Sequence, residues 1–306
     1  MLNEEKYGTY DVIIIGGSAA GLSAAMTLGR SQRKVLIIDE GLPCNRQTPH
    51  SHNFLTQDGA TPAQIALTAK SQVLAYPTVY WESGRAQNVT QEHGIFVVRT
   101  DRNGEYFKGK KLILATGIKD ILPTIPGFDA CWGITAIHCP YCHGYEFRGK
   151  KTAILANGER AMHLVSLVRN LTADLTLLTN GTANLDAKQL KKLRQHDITL
   201  IEAPLISLIH EKGHVRQLVL EGTDHLTMDA LYAAVPFQQH SNIHRTLGCT
   251  ETEQGHIKID AFQKTNVPGV FACGDNSSGM RSVANAVAAG NLAGAAANME
   301  LVQDNF

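Results

Sequence analysis

Residues 138–146 read HCPYCHGYE. Two cysteines separated by two residues, with a histidine on either side, fit three unrelated chemistries. Thiolates and imidazoles together can hold zinc. Cys-x-x-Cys-His is the attachment signature of c-type haem, and Cys-x-x-Cys alone is the dithiol of disulfide exchange. Zinc needs four ligands, and structural sites bring a second Cys or His pair. No second pair follows here, and adjacent His138 and Cys139 are awkward partners on one ion, so no metal is expected. Haem attachment requires an exported chain. The N-terminal stretch MLNEEKYGTY is acidic and polar where a secretion signal would be basic.

The elements that must position this segment show in the hydrophobic pattern. The chain has 306 residues, enough for two domains. It carries 28 basic and 28 acidic residues, a balance that argues against nucleic acid or an anionic membrane as partner. No apolar run reaches membrane-spanning length. The cysteines at 44, 131, 139, 142, 249 and 273 are scattered except for one pair. That is no secreted disulfide framework, and it suggests a reducing cytoplasm.

Residues 11–15, DVIII, form a short β-branched run of the kind found in strands buried on both faces of a parallel sheet. Gly16-Gly17-Ser18-Ala19-Ala20-Gly21 follows, then the helical stretch LSAAMTLGR and a second strand, KVLIID, ending at Asp39. This is a βαβ unit with the dinucleotide fingerprint G-x-G-x-x-G, Ser18 replacing the second glycine. Gly16 allows the tight turn and Gly21 lets helix pack on strand. The helix N-terminus can face a pyrophosphate, and Asp39 can accept a ribose hydroxyl.

Two further segments, KLILATG at 111–117 and TNVPGVFACGD at 265–275, end in Ala115-Thr116-Gly117 and Gly274-Asp275. Together with the first turn they resemble the FAD-binding signatures of flavoproteins with two dinucleotide domains. The resemblance implies that Asp275 hydrogen-bonds the ribityl chain. It also implies that Arg281, Ser282 and Val283 open a helix aimed at the flavin pyrimidine ring, where a positive dipole end stabilises reduced flavin. Glu40, Arg46, His50 and Asn53, after the adenosine-side strand, are further candidates for FAD contact.

Between these parts lies an insert. KKTAILANGERAMHLVSLVRN reads as strand, Gly-containing turn and helix, and the strand DLTLLTNG follows. The chain therefore reads as α/β with two three-layer Rossmann-like dinucleotide-binding domains, one interrupting the other. The expected division is 1–119 and 244–306 for the FAD domain and 120–243 for an inserted NAD(P)-type domain carrying the Cys-x-x-Cys. The second fingerprint is weakened. Ala156 stands where the first Gly belongs, and Ala tolerates a positive φ poorly. The strand end Leu178-Thr179-Asn180-Gly181 offers neither an acid for NAD nor arginines for the NADP phosphate. Asn157, Gly158, Glu159 and Arg160 remain the candidate NAD(P) contacts, and use of NAD(P)H is doubtful.

A Cys-x-x-Cys just after a flavin domain and at the start of an inserted nucleotide domain resembles low-molecular-weight thioredoxin reductase over the whole chain. The resemblance implies that Cys142 faces the flavin and Cys139 exchanges with substrate. It implies a homodimer acting on a disulfide or dithiol, either a small molecule or a thioredoxin-like protein. There is one departure. Thioredoxin reductases place Asp after the second Cys, and here His143 stands there. CPYCHGYE, GRSQRKVLIID and PCNRQTPHSHN are closer to a sub-branch that includes the dithiol oxidases of gliotoxin, holomycin and romidepsin. Histidine titrates near neutrality and can serve as base toward a substrate thiol. His143 is the stronger candidate and His138 the second. The expected function is FAD-dependent thiol–disulfide oxidoreduction. Its alternatives are oxidation of a small dithiol with oxygen as acceptor and, in another class, a flavin redox sensor without turnover. Cys131, Cys249 and Cys273 read as buried small hydrophobes. His196, His210, His214, His225, His240, His244 and His256 read as scattered and solvated. The Ala-rich C-terminal helix is expected to pack on flavin or on a partner subunit.

Overall fold

The computed structural model describes residues 8–102, 105–222 and 225–306. Residues 1–7 of the acidic N-terminal stretch lie outside them. Strand β1 (Tyr10–Ile15) leads through helix α1 (Ala19–Arg30) to β2 (Val35–Asp39), which pairs with it in parallel. Helix α2 (Pro62–Leu74) precedes β3 (Val79–Ser83), which adds to β2. Strands β4 (Ala86–Glu92), β5 (Ile95–Thr100) and β6 (Tyr106–Leu114) form an antiparallel meander, and β6 also lies parallel beside β1. The chain then runs through β7 (Ile118–Asp120), α3 (Phe128–Cys131), β8 (Ala136–Ile137), α4 (Pro140–His143) and a 3-10 turn, Tyr145–Phe147. Next come β9 (Thr152–Leu155), α5 (Gly158–Val168), β10 (Leu175–Leu178), α6 (Ala187–Gln195) and β11 (Thr199–Ile201). Strands β12 (Leu205–Glu211), β13 (His214–Leu220), β14 (Leu226–Thr227) and β15 (Ala230–Ala233) follow. The chain ends with β16 (Phe237–Gln239), α7 (Ile243–Thr246), β17 (Val270–Ala272) and α8 (Val283–Gln303).

Two compact units result. One holds the chain up to Arg46, Phe54–Lys119 and Gln238–Phe306; the other holds Gln47–Asn53 and Asp120–Phe237. The first unit is built on the sheet β3-β2-β1-β6, with β17 parallel to the end of β6. Strand side chains alternate faces. Val12, Ile14 and Ile37 join α1 and α8 in one cluster, while Ile13, Ile15, Leu36 and Ile38 join Phe96 and Phe107 in another. That double burial is why DVIII is apolar at every position after Asp11. Helix α8 packs on α1: a Cβ on Gly290 would overlap the Ala20 carbonyl oxygen, and one on Gly294 would lie 2.7 Å from that of Ala24. The small residues of this helix therefore serve an internal contact. Its end is tied to the sheet by Lys111 Nζ, 3.1 Å from Glu300 and 2.8 Å from Asp304.

The inserted unit repeats the theme with the all-parallel sheet β11-β10-β9-β15-β8 and a separate antiparallel sheet β12-β13-β14. Helix α5 supplies Ala161, Leu164, Val165 and Val168 to a core with Ile154, Leu177 and Tyr232.

One expectation fails here. His244 is 2% exposed, not solvated, because Glu251 lies 2.6 Å from its Nε2 and satisfies it in the core. His240 is likewise held, with Nε2 2.7 Å from Glu40. The buried positions of Cys131, Cys249 and Cys273 agree with the sequence reading, and burial pushes the Cys273 thiol up to about 12.

Candidate active site

In the first unit, β1 ends at a turn that only glycine can make. Gly16 has φ 106°, and a Cβ there would overlap the Ala115 carbonyl oxygen. A Cβ on Gly21 would overlap the Gly16 carbonyl. Ser18 begins α1 without a side-chain cap, so its hydroxyl leaves the N–H groups of the first turn, at Ala19, Ala20 and Gly21, for another acceptor. Asp39 organises the turn from the end of β2: Oδ1 accepts the Gly17 N–H at 2.8 Å and Oδ2 accepts the Gly41 N–H at 3.1 Å. Glu40 faces His240 and, at 3.9 Å, Arg85. Arg46 donates to the Pro43 carbonyl at 3.1 Å.

The second half of this cradle comes from β6 and β17. Ala115 N–H donates to Ile15 at 2.8 Å, and Gly117 turns with φ 64°. Gly274, φ 89°, approaches Ala20, and Asp275 Oδ2 lies 3.7 Å from Arg281 Nε and from Cys44 Sγ. Ser282 caps α8, accepting the Asn285 N–H at 3.1 Å. Sequence reading missed Asn276. It is fully buried, and its Nδ2 donates to Leu114 O at 2.8 Å and Thr116 Oγ1 at 3.3 Å, joining the two strand ends beside Asp275. Its one signal is adjacency to Asp275. The glycine turn, open helix start and Asp275–Arg281 pair fit a dinucleotide with a ribityl chain: phosphate on the α1 N–H groups, hydroxyls on Asp275.

The second cradle is built differently. Its positive φ lies at Gly158, 61°, and Asn157 is the N-cap of α5. Asn157 Oδ1 accepts N–H groups from Gly158 at 2.9 Å and Asn184 at 2.8 Å, and Nδ2 donates to Thr182 O at 3.0 Å. Glu159 brings a carboxylate to the first helical turn and accepts from Gln189 Nε2 at 2.7 Å. Arg160 is exposed beside it.

Cys139 and Cys142 form a disulfide across α4, with Cα atoms 5.3 Å apart. Cys139 caps the helix, its Sγ accepting the Cys142 N–H at 3.2 Å. Pro140 at the first helical position has the φ this turn needs. Gly144 is required next, because a Cβ would overlap the Pro140 carbonyl. His143 is half-buried, and both of its ring nitrogens are shielded from solvent. Burial lowers its pKa, Glu146 raises it, His52 lowers it and the His50 backbone raises it; the net direction is down. His52 Nε2 lies 3.5 Å from Glu146 Oε1. His50, His52 and Asn53 thus belong to the unit that carries the disulfide, with Asn53 at φ 58°. His138 lies with its ring 6.4 Å from that of Trp132, which donates to Asp120 at 3.2 Å. Tyr232 was also missed. It is a core tyrosine whose hydroxyl has no partner, and burial pushes its pKa up.

Two dinucleotide folds, one with a flavin-type cradle and the other carrying a disulfide followed directly by a histidine, define a flavin-linked disulfide oxidoreductase. Residues 10–290 match the family model described as pyridine nucleotide-disulphide oxidoreductase, and the chain belongs to that family. It is 30% identical to thioredoxin reductase tcpT of Claviceps purpurea, over 96% of this chain and 95% of that one. An oxidoreductase structure from Agrobacterium tumefaciens is 35% identical, with a TM-score of 0.91 over 97% of this chain and 99% of that chain. The structure of HlmI is 29% identical, with a TM-score of 0.91 over 97% and 94%. The protein is thus a thioredoxin reductase-like, FAD-dependent thiol–disulfide oxidoreductase. Among the described residues, no helix is long and apolar enough to cross a membrane.

Proposed function

We propose that this enzyme loads Cys139–Cys142 with electrons from a dithiol substrate and draws few from NAD(P)H. The observation that carries the reading is Asn157. Its amide spends both ends on Gly158, Asn184 and Thr182, closing the second turn on itself, and Glu159 adds negative charge where a phosphate would arrive. In the first step a substrate thiol gives its proton to the His143 ring, and its sulfur bonds to Cys139 Sγ. The Cys139–Cys142 bond breaks, and Cys142 leaves as thiolate. The second substrate thiol then releases its proton to solvent as it attacks the mixed disulfide and displaces Cys139, which takes the proton held by His143. The substrate leaves as a disulfide, and its two electrons remain on the cysteine pair. Bound FAD supplies a two-electron acceptor for Cys142, the thiol assigned to the flavin side by family resemblance. On the same reading Asp275 holds the ribityl chain and His138 flanks the exchange thiol.

The opposite direction, from NAD(P)H to a disulfide, is favoured by one feature: Arg160 stands in the first turn of α5, where a guanidinium can meet a phosphate. Four cysteines outside the disulfide, at 44, 131, 249 and 273, fit a reducing cytoplasm. Exposed Met299 and Val302 on α8 fit a homodimer contact. The test is anaerobic mixing of the FAD-loaded enzyme with dithiothreitol, NADH or NADPH while flavin absorbance is followed. Dithiol is expected to bleach it fastest. Rapid reduction by NADPH, saturating at micromolar level, overturns the reading. Bleaching without steady-state turnover in air, with a dithiol or with any disulfide, points instead to a redox sensor.

A further inference from the structure

The run that carries the disulfide also carries two uncovered aromatic side chains. Tyr141, between the cysteines, and Tyr145, one helical turn on, are each 67% exposed. The backbone sets them on one side. Gly144 keeps right-handed helical dihedrals, φ −76° and ψ −34°, between α4 and the 3-10 turn. Its N–H donates to Pro140 O at 2.9 Å. Residues four apart on such a turn are neighbours, and so are residues three apart, which places Tyr145 next to Cys142 as well. Arg148 continues the stripe. Its guanidinium carbon lies 4.0 Å from the Tyr145 ring centroid, and Nη1 donates to Tyr145 O at 2.8 Å. That contact covers one face of the Tyr145 ring and holds it in place, so a ligand that meets the ring costs it little further side-chain freedom.

We propose that Tyr141 and Tyr145 are specificity-determining residues of the exchange reaction: a stacking platform that selects a small thiol substrate whose sulfurs are carried on a flat apolar ring, with Arg148 as the residue that positions Tyr145. The proposal rests on the reading of a dithiol as the substrate of Cys139–Cys142. The occupant follows from position and size. Any partner in the exchange must bring a sulfur to the Cys139–Cys142 bond, and Tyr141 stands between those two residues in the single turn they close. A thiol that arrives there on a flat ring can lay that ring against a tyrosine, in the offset or edge-on geometries aromatic pairs prefer. A folded protein needs about 800 Å² on each side for a stable complex. Along residues 138–149 the large apolar side chains left exposed are Tyr141 and Tyr145, enough for one ring-sized ligand and far short of that area.

The test compares two dithiols on the FAD-loaded protein under anaerobic conditions: dithiothreitol, which has no ring, and 1,2-bis(mercaptomethyl)benzene, which carries both sulfurs on one. Reduction of Cys139–Cys142 is read by acid quench, alkylation and mass, and flavin bleaching is followed in parallel. Each rate is divided by the rate of the same dithiol on oxidised glutathione, which removes intrinsic thiol reactivity. The corrected preference of the wild-type protein for the ring dithiol should be about tenfold, the scale of one aromatic contact. Tyr141→Ala and Tyr145→Ala should each lower that preference, and the double variant should erase it. Tyr141→Phe keeps the ring and should keep the preference, which guards against misfolding as the cause. Arg148→Gln should raise the KM for the ring dithiol a few-fold while kcat moves less. No preference in the wild-type protein, or one that survives the double alanine variant, overturns the inference. Reduced thioredoxin that outpaces both small dithiols and loses its rate in the tyrosine variants assigns the platform to a protein and overturns it too. Slow bleaching by both dithiols beside rapid bleaching by NADPH sinks the dithiol reading of function, and the platform is then decided by the alkylation rates.

Discussion

At the first glycine-rich turn the carboxylate of Asp39 reaches back from the neighbouring strand end and takes the Gly17 and Gly41 N–H groups. At the second, no acid stands on the strand end, and Asn157 within the turn does the equivalent work on Gly158 and Asn184. The supports differ in what they leave over. Asp39 holds its turn from outside, and Ser18 leaves the helix start uncapped by a side chain. Asn157 is itself the cap of α5 and also bonds the loop beyond β10. One βαβ unit thus leaves its helix start without a side-chain acceptor, while in the other Asn157 takes the Gly158 N–H.

The comparison breaks most readily at Gly16. A methyl group there meets the Ala115 carbonyl, and the backbone sits at φ 106°. Strain and overlap together should cost more than about 3 kcal/mol, so Gly16→Ala should weaken FAD binding over a hundredfold. Ala156→Gly, at the matching place in the second turn, should leave flavin content unchanged. The flavin-to-protein absorbance ratio after gel filtration reads both. A fully yellow Gly16→Ala protein would show that the first turn does not need the geometry described.

Next in size is the exchange of supports. Asp39→Ala leaves two N–H groups short of an acceptor, a loss of about 1–3 kcal/mol, and should lower FAD affinity about tenfold or more. Asn157→Ala removes a cap and should cost about 1 kcal/mol of stability in the inserted unit with no change in flavin affinity. Fluorescence titration of the apoprotein with FAD, paired with thermal unfolding, separates the two. Equal effects on flavin affinity would erase the distinction.

The flavin half of this contrast was legible in the sequence because its chemistry is local: DVIII, the Gly16–Gly21 turn, Asp39 and Gly274-Asp275 each carry their signal within a few residues. The departure of the second turn from the dinucleotide fingerprint was also visible, in Ala156 and in the missing acid. Its replacement was not, since Asn157 acts through Asn184 and Thr182, more than twenty residues away in sequence. The same reason hid Asn276, which bonds across to Leu114, and Tyr232, which looks like any core aromatic. His50 and Asn53 were singled out for FAD contact. The association of their segment with Glu146 and His143 is a tertiary fact that no spacing rule contains.

A smaller effect sharpens the comparison from the other side. If Asn157 and Glu159 close the second turn, loosening it should let a nucleotide in. Asn157→Gly combined with Glu159→Ala frees the Gly158 N–H and removes a carboxylate from the helix start, a dipole contribution of about 0.3–1 kcal/mol. Flavin reduction by NADPH should then quicken a few-fold, with dithiol reduction unchanged. No gain in stopped-flow rates would mean that the turn is closed by something other than these two side chains.

The smallest expected effect concerns α8, which packs on the helix of the intact cradle. Glu300 is partly desolvated, which raises its pKa, but hydrogen bonds from Lys264 and Lys111 outweigh this and the net direction is down. A carboxylate depressed in the folded state adds stability that is present above its unfolded value and is lost as pH falls through the folded one. Lys111 has the opposite sign: burial lowers its pKa, but Asp304 and Glu300 raise it on balance. Its contribution is present below the unfolded value and is lost only as pH climbs through the raised one. Lys111→Met should therefore cost about 1 kcal/mol at neutral pH, a drop of about 2 °C in the unfolding midpoint. The gap from wild type should narrow as pH falls through the depressed pKa of Glu300, where that carboxylate no longer attracts a cation. Because Lys111 sits on β6, the strand that ends at Leu114 just before Ala115, the variant should also release FAD slightly faster at neutral pH. A gap that widened in acid would mean that Lys111 acts by packing its methylenes, not by holding α8 through charge.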